Sequence, residues 1–520
     1  MKLVKIDSSS IQIRTDLEAF RNIKINDLLL VSDSSISLVT IVTSLMDSDA
    51  EERIGDEDFL GEITGIKTIT CSIMGSLKDG KFVKAIDQYP TTSVSISRIR
   101  NQEFSQMIAP DGERKSYFHI GKYAAYDCPA YVDGNKFFQR HACIVGNTGS
   151  GKSETVAKIM QEAAKLPAAN LVVFDIHGEY SNLSYASTIK IGEDFDFPIW
   201  MFGFYDIATN ILRIKEETAT SIMAGLRKAY YRVCPNGKEN KPVFFSYFDL
   251  IKEVKAMNEQ TIGTGEYYKS GEKAGMEKRS KGEYNGKLHG VINLLEDRMR
   301  DSRYAFLFKD NPPEYLYKIM GTVLGNQKPV KVIDLSAIPH DVVIPIIGVI
   351  TRIIFDLQRQ QNADRIRPVT IICDEAHVYI PNNFDLSSSQ RRMVEVFEDI
   401  AKEGRKFGIT LFTATQRPSE LNRTIVAQCA NLIVGKLNND NDKQLIKGML
   451  PDGDSTVIDS VSMFNPGDVL IIGDAVPVPL KIKAQLAKER PVSRTIDFWS
   501  IWSNAQEYDL EEMIDSYMRR

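Results

Sequence analysis

His141-Ala-Cys-Ile-Val-Gly-Asn-Thr-Gly-Ser-Gly-Lys-Ser-Glu-Thr-Val-Ala-Lys-Ile-Met160 is the stretch whose reading decides the fold. Its first residues, His141–Val145, are apolar and suit a short buried strand. The residues from Glu154 to about Leu166 suit a helix. Between them, Gly146–Ser153 fits the pattern G-x-x-x-x-G-K-[ST], a phosphate-binding loop. Each residue type has a physical reason. Gly146, Gly149 and Gly151 let the backbone curl so that successive N–H groups point inward, where side chains would obstruct them. The helix that follows aims its positive dipole end at the same point. Lys152 can reach β- and γ-phosphates as a point charge, and Ser153 can place its hydroxyl on Mg²⁺. Asn147, Thr148, Ser150 and Glu154 complete the set of nucleotide-contacting positions. The alternative is a Gly/Ser-rich turn that binds nothing.

The bulk numbers suit a globular protein of several domains. The chain has 520 residues, of which 43% are hydrophobic and 26% charged, and its net charge is −5. That balance excludes a coat of positive charge, but a basic channel inside an acidic ring remains compatible with it. Six cysteines lie far apart with no C-x-x-C pair; Cys143 and Cys373 sit in apolar runs that suit buried free thiols, and the pattern suits a reducing cytoplasm. The N-terminus has no apolar signal core. The longest apolar run, Val342–Phe355, is too short to span a bilayer and contains Pro345 and Arg352. No membrane association is expected.

Along the chain, residues 1–117 carry short β-branched runs separated by turn residues, which predicts a small β-barrel for assembly or partner docking. Residues 118–210 hold the phosphate loop and a second buried strand, Asn170-Leu-Val-Val-Phe-Asp-Ile. Continuous apolar residues there imply a strand covered on both faces, as in a parallel sheet. Residues 211–328 read as a helical insertion with a polar, Gly- and Lys-rich loop over Gly263–Gly290. Residues 329–489 return to alternating strands and helices. The tail, 490–520, carries Trp499 and Trp502 and predicts a helix packed on a neighbour or on the core. The fold class expected is α/β: a RecA-like P-loop core with a helical insertion, preceded by the barrel.

Other residues group around the loop. Val369-Thr-Ile-Ile-Cys-Asp-Glu-Ala-His is an apolar strand ending in paired carboxylates. Asp374 is assigned to the metal and Glu375 to orienting and deprotonating the attacking water; a helix-capping pair is the bland alternative. Gln416 ends the next strand, where an amide can report the γ-phosphate or simply bond backbone. Arg405, at a helix–strand corner, suits a finger reaching into a neighbour's site, and Arg140, at the start of the loop's strand, suits a phosphate contact in cis. A surface ion pair is the alternative for both. Asp175 and Glu179, with His177 between them, suit positions beside Mg²⁺ without contacting it. Asp385–Arg392 and the segment near Arg213–Glu217 are candidate pore loops.

Gly-Asn-Thr-Gly-Ser-Gly-Lys-Ser, Phe-Asp-Ile-His-Gly-Glu-Tyr, Cys-Asp-Glu-Ala-His, Glu-Gly-Arg-Lys-Phe-Gly and Thr-Gln-Arg-Pro-Ser, in this order, resemble the HerA branch of the HerA/FtsK ATPases. The resemblance covers nearly the whole chain. It implies a homo-hexameric ring, double-stranded DNA in its pore, and ATP sites between subunits, with Arg405 acting in trans and Arg140 in cis. It also implies an effector docked through the N-terminal barrel: a NurA-type nuclease, or a sirtuin-like or other defence effector. Two functions follow as expectations. One is an ATP-driven translocase or helicase on duplex DNA, in DNA end processing or phage defence. The other is a nucleotide-gated scaffold ring that activates its partner without translocation.

Overall fold

The computed structural model describes all residues except 49–65, 92, 111, 113, 216–219, 238–240, 326, 363–364, 383–385, 451–455, 493–497, 504–508 and 520. The N-terminal part is one antiparallel sheet. Its strands are β1 (Lys2–Ile6), β2 (Ser10–Thr15), β3 (Leu28–Ser32), β4 (Ser37–Ser48), β5 (Ile66–Lys78), β6 (Lys81–Val83) and β7 (Ser95–Arg98). They run in the order β1-β2-β5-β4-β3-β7, with β6 on β5. Among the described residues no pairing joins β1 to β7, so the sheet is a half-barrel, not a closed one. Leu3, Ile11, Ile13, Val31, Leu38 and Ile69 belong to a buried hydrophobic cluster of its own. Most of the acidic break after Asp47 lies outside the described residues.

A mixed sheet of eleven strands forms the main body. Its strands are β8 (Tyr117–Tyr123), β9 (Pro129–Asp133), β10 (His141–Val145), β11 (Leu171–Asp175), β12 (Ala186–Lys190), β15 (Val330–Asp334), β16 (Val369–Cys373), β17 (Ile409–Thr415), β18 (Cys429–Val434), β19 (Asp468–Gly473) and β20 (Lys481–Ala484). The order is β12-β15-β11-β16-β17-β10-β18-β19-β20-β8-β9. The pairings from β12 through β18 are parallel, and those from β18 on are antiparallel. β10, β11, β16 and β17 are buried at every residue. That is why their sequences are mostly apolar on both faces: helices cover both sides of a parallel sheet. Parallel pairing also puts the C-terminal ends of β10, β11, β16 and β17 on one edge, where a doubly wound sheet receives its ligand. Cys373 and Val145 both flank β17, beside Thr413 and Thr415.

Between β12 and β15 stand the helices Thr220–Val233, Tyr247–Glu259, His289–Arg300 and Tyr315–Leu324. The stretch read as a polar loop contains a hairpin instead, β13 (Thr261–Tyr267) paired with β14 (Glu277–Lys281). Left-handed Gly265, Gly271 and Gly275 allow the chain to reverse there. The tail also departs from expectation in part. Its helices, Phe498–Ser503 and Leu510–Arg519, bury no described residue against the core, and Trp499, Trp502 and Tyr517 stay exposed. Among the described residues no helix is long and apolar enough to cross a membrane.

Candidate nucleotide-binding site

β10 delivers the glycine-rich loop to the C-terminal edge of the sheet. Gly149 and Gly151 have φ of +74° and +96°, the left-handed region that glycine occupies freely. Gly146 is needed for another reason: a Cβ there would lie 2.6 Å from Ser150 Oγ. The loop is tied down by Asn147 N–H, which donates to Lys436 O at 2.8 Å, and by Ser150 N–H, which donates to Asn147 O at 3.1 Å. Lys152 opens the following helix, Lys152–Ala163. Its Nζ folds back onto Gly146 O and Asn147 O, at 2.8 and 3.2 Å. Burial lowers the pKa of this ammonium, and Glu375, Asp374 and Glu179 oppose that shift.

β16 and β17 deliver the opposing wall. Asp374 and Glu375 are 6% and 7% exposed. Burial, then Asp175, Glu375 and Glu179, push the Asp374 carboxyl well above the usual carboxylate range. Glu375 sits at φ +42°, a left-handed conformation that costs a non-glycine residue roughly 1–2 kcal/mol. Its Oε1 accepts from Gln416 Nε2 at 2.5 Å. Its Oε2 is buried with no hydrogen-bond partner, and His377 Nδ1 stands 3.3 Å away. Gln416 Oε1 in turn accepts from Thr148 Oγ1. One amide therefore links the phosphate loop to the second carboxylate of the pair.

Thr148, Lys152, Glu375 and Gln416 line a cavity of about 290 Å³, with Ser153, Glu154 and Glu179 on its walls. The donor set fits a magnesium-bound triphosphate. Three carboxylates face one lysine, and buried oxygens of Glu375, Glu179 and Glu154 lack partners. An added cation would favour the charged form of Asp374, against the burial and carboxylate repulsion that push it upward. Among the described residues no three acidic, His or Cys side chains form a metal cage by themselves. A magnesium ion would therefore draw most of its ligands from the nucleotide and water, with Ser153 and Asp374 beside it.

One expectation, the cis role of Arg140, requires correction. Asp175 lies close enough to Asp374 for its charge to raise that carboxyl's pKa. Its carboxylate is consumed by the backbone N–H groups of Gly178, Glu179 and Tyr180, at 2.8, 3.1 and 2.9 Å. It shapes the turn that presents Glu179, whose side chain does reach the cavity. Arg140 does not reach its own phosphate loop. It precedes β10, whereas the loop follows that strand; across five residues at about 3.3 Å each, the two ends lie on the order of 15–20 Å apart. Arg140 pairs instead with Asp474, at 2.5 Å, in a recess on the opposite edge. Arg405 lines the same recess; its side chain is exposed and makes no ion pair or hydrogen bond among the described residues. Gly404 before it is demanded by packing, since a Cβ would meet Ile409 O at 2.6 Å.

The pore-loop candidates also change. Ser388–Arg392 begins the helix Ser388–Glu403. Ser389 is buried, donating to the Asp206 carboxylate, and Arg392 lies over the Tyr205 ring at 4.6 Å. Arg213 is bound to Asp341 at 3.0 Å. Residues 383–385 and 216–219 lie outside the described residues. Sequence reasoning assigned no role to His377, although it was in the quoted motif, nor to Gln485, Leu486 and Arg490, which line the cavity from the end of the core. Nothing local in the sequence marks those three.

Residues 118–354 match a family model described as "Helicase HerA, central domain". Among curated proteins, the chain is 27% identical over 381 residues to a probable helicase of Methanocaldococcus jannaschii, covering 72% of this chain and 68% of that protein. It is 24% identical to the DNA double-strand break repair helicase HerA of Saccharolobus solfataricus, over 80% of this chain and 77% of that protein. The HerA protein of Sulfolobus acidocaldarius is 25% identical over 505 residues, 89% of this chain and 92% of that protein. Among solved structures, VirB4 of Thermoanaerobacter pseudethanolicus superposes with a TM-score of 0.50 at 14% identity, over 73% of this chain and 98% of that one; this likeness concerns the fold. The phosphate loop, the paired carboxylates on the neighbouring parallel strand and the match over the central domain together make this chain a distant homologue of the HerA helicases.

Proposed function

We propose that the chain is a ring-forming ATPase that moves double-stranded DNA, with its active sites completed between neighbouring copies. The observation that supports this best is the split of the machinery across the sheet. Lys152, Glu375 and Gln416 converge in one cavity at the C-terminal edge, while Arg405 stands exposed at the other edge. A guanidinium so far from its own cavity serves a nucleotide only when a second copy brings its cavity to that edge.

The chemistry assigned to the chain is transfer of the γ-phosphoryl group to water. Magnesium, when bound, neutralises charge on the phosphate oxygens. Backbone N–H groups of Gly149–Ser153 cradle the phosphates, and Lys152 leaves its carbonyl partners to contact them. Glu375 Oε2, buried and unpartnered, takes a proton from the attacking water. Gln416 holds Glu375 Oε1 and senses the γ-phosphate by exchanging its contact with Thr148. Arg405 of the adjoining copy offsets transition-state charge. Arg140, in the same recess, is reassigned to that adjoining site or to holding Asp474. The exposed apolar tail helices brace the adjoining copy, and the half-barrel receives an effector of the nuclease or defence type.

The test is ATP hydrolysis by the purified chain with and without duplex DNA, beside native mass measurement. Stimulation by duplex, an assembly larger than a monomer and loss of turnover in Lys152→Ala are expected. A monomer with full turnover overturns the reading.

A further inference from the structure

The cavity has a wall that phosphate chemistry does not explain. Residues 484–492 cross in front of the helix Lys152–Ala163 as a strap. Main-chain contacts fix it: Ala484 N–H to Gly467 O and Gln485 N–H to Ile120 O, both 2.8 Å, and Val492 N–H to Glu179 O at 2.7 Å. Side chains fix it further. Lys488 N–H donates to Gln161 Oε1 at 2.6 Å, and the Glu489 carboxylate takes both the N–H and the hydroxyl of Ser184 at 2.5 Å. So anchored, the strap still leaves Leu486 53% exposed, an apolar side chain beside the cavity. The Gln485 side chain stands next to it, also at the cavity wall.

Glu154 is the group that makes this wall a recognition surface. It follows Ser153 directly, in the first turn of the helix. Arg490, from the strap, grips one of its oxygens: Nε and a terminal nitrogen both lie 2.7 Å from Oε1. The other oxygen, Oε2, is buried with no hydrogen-bond partner, and Glu154 is one of the residues that line the cavity. A desolvated carboxylate oxygen without a donor is costly, so a ligand that supplies an O–H is favoured there. The nucleoside of a triphosphate seated on the loop carries such donors in its ribose diol. Leu486 then offers an apolar surface to the base.

We propose that Glu154, positioned by Arg490, accepts a hydroxyl of the nucleotide's ribose and that the strap forms the nucleoside end of the site, so that the protein selects nucleotides carrying an intact ribose diol. The proposal rests on the cavity being a nucleotide site. Calorimetric titration of the full chain with ADP and with 2′,3′-dideoxyADP, both with Mg²⁺, tests it without any turnover. Wild type is expected to bind ADP about 10-fold or more tighter, the loss that follows from one charged acceptor left unpaired. Glu154→Ala is expected to bind the two ligands within about twofold of each other, and Arg490→Ala, which leaves the helix intact, to narrow the preference at least threefold. Equal binding of both ligands by wild type overturns the ribose assignment, as does an unchanged preference in both variants. If Lys152→Ala still abolishes binding of both ligands in that case, the nucleotide site stands and the strap's role alone falls. If wild type binds neither ligand, both fall.

Discussion

Replacing Glu375 by Gln separates chemistry from architecture at this site. The substitution keeps the side chain's shape and an oxygen that still accepts from Gln416 Nε2, so the bridge to Thr148 survives. It removes the proton acceptor, the unpartnered Oε2. A positioned general base contributes roughly 10²–10⁴-fold to rate, so turnover should fall by that factor. It also removes a charge that, behind burial and Asp175, raises the pKa of the neighbouring Asp374 carboxyl. Each pH unit of that repulsion is worth about 1.4 kcal/mol, and the variant should therefore melt no lower than wild type. The left-handed backbone is unaffected, since Gln and Glu bear the same strain there. Phosphate release at saturating ATP, ADP calorimetry and thermal melting measure the three quantities. Turnover within threefold of wild type refutes the assignment. A drop in turnover matched by equal loss of ADP binding would show instead that Glu375 shapes the cavity.

Other expectations follow from the same geometry. Arg405→Ala alone and Lys152→Ala alone should each lose hydrolysis, by about 10³-fold or more for the arginine, whereas mixing the two proteins should restore part of it by forming sites with both groups intact; no recovery on mixing, in mixed assemblies confirmed by native mass, removes the shared site. Gly146→Ala should weaken ADP binding at least about 10-fold, because the new methyl sits 2.6 Å from Ser150 Oγ, and adding Ser150→Gly should recover much of it. His141 is held neutral by burial, which lowers its pKa to about 4, and its Nδ1 accepts from Leu411 N–H at 3.0 Å. The unfolded chain binds this proton near pH 6.5, so the contribution is complete above that pH and is lost between 6.5 and 4, roughly 3 kcal/mol in all. Denaturant titrations at pH 7 and pH 4.5 should show that decline for wild type and a smaller one for His141→Gln.

What the sequence determined by itself is whatever a contiguous stretch encodes. The phosphate loop is legible because its work is done by neighbouring backbone N–H groups, and only glycines at 149 and 151 permit the required curl. β10, β11, β16 and β17 are legible because double-sided burial leaves them mostly apolar, with none of the polar alternation of a half-exposed strand. Parallel pairing then carries Asp374, Glu375 and Gln416 to the loop, as the alternation of strands and helices predicts. The hairpin at 261–281 escaped notice because its strands are almost wholly exposed and carry no apolar alternation.

Tertiary structure alone decided which edge of the sheet each charged group occupies and which groups were already bound. Arg140 adjoins the phosphate loop in sequence yet lies a strand's length from it, because a strand separates its two ends as it connects them. Asp175 and Glu179 stand together in the sequence, but in space three backbone N–H groups hold the first while the second reaches the cavity. Glu154 and Arg490, far apart in the chain, meet at 2.7 Å because the antiparallel return through β19 and β20 brings the strap back over the loop's helix. Local chemistry is written in neighbouring residues; partnership across the sheet is set by strand order and direction, and no single stretch contains either.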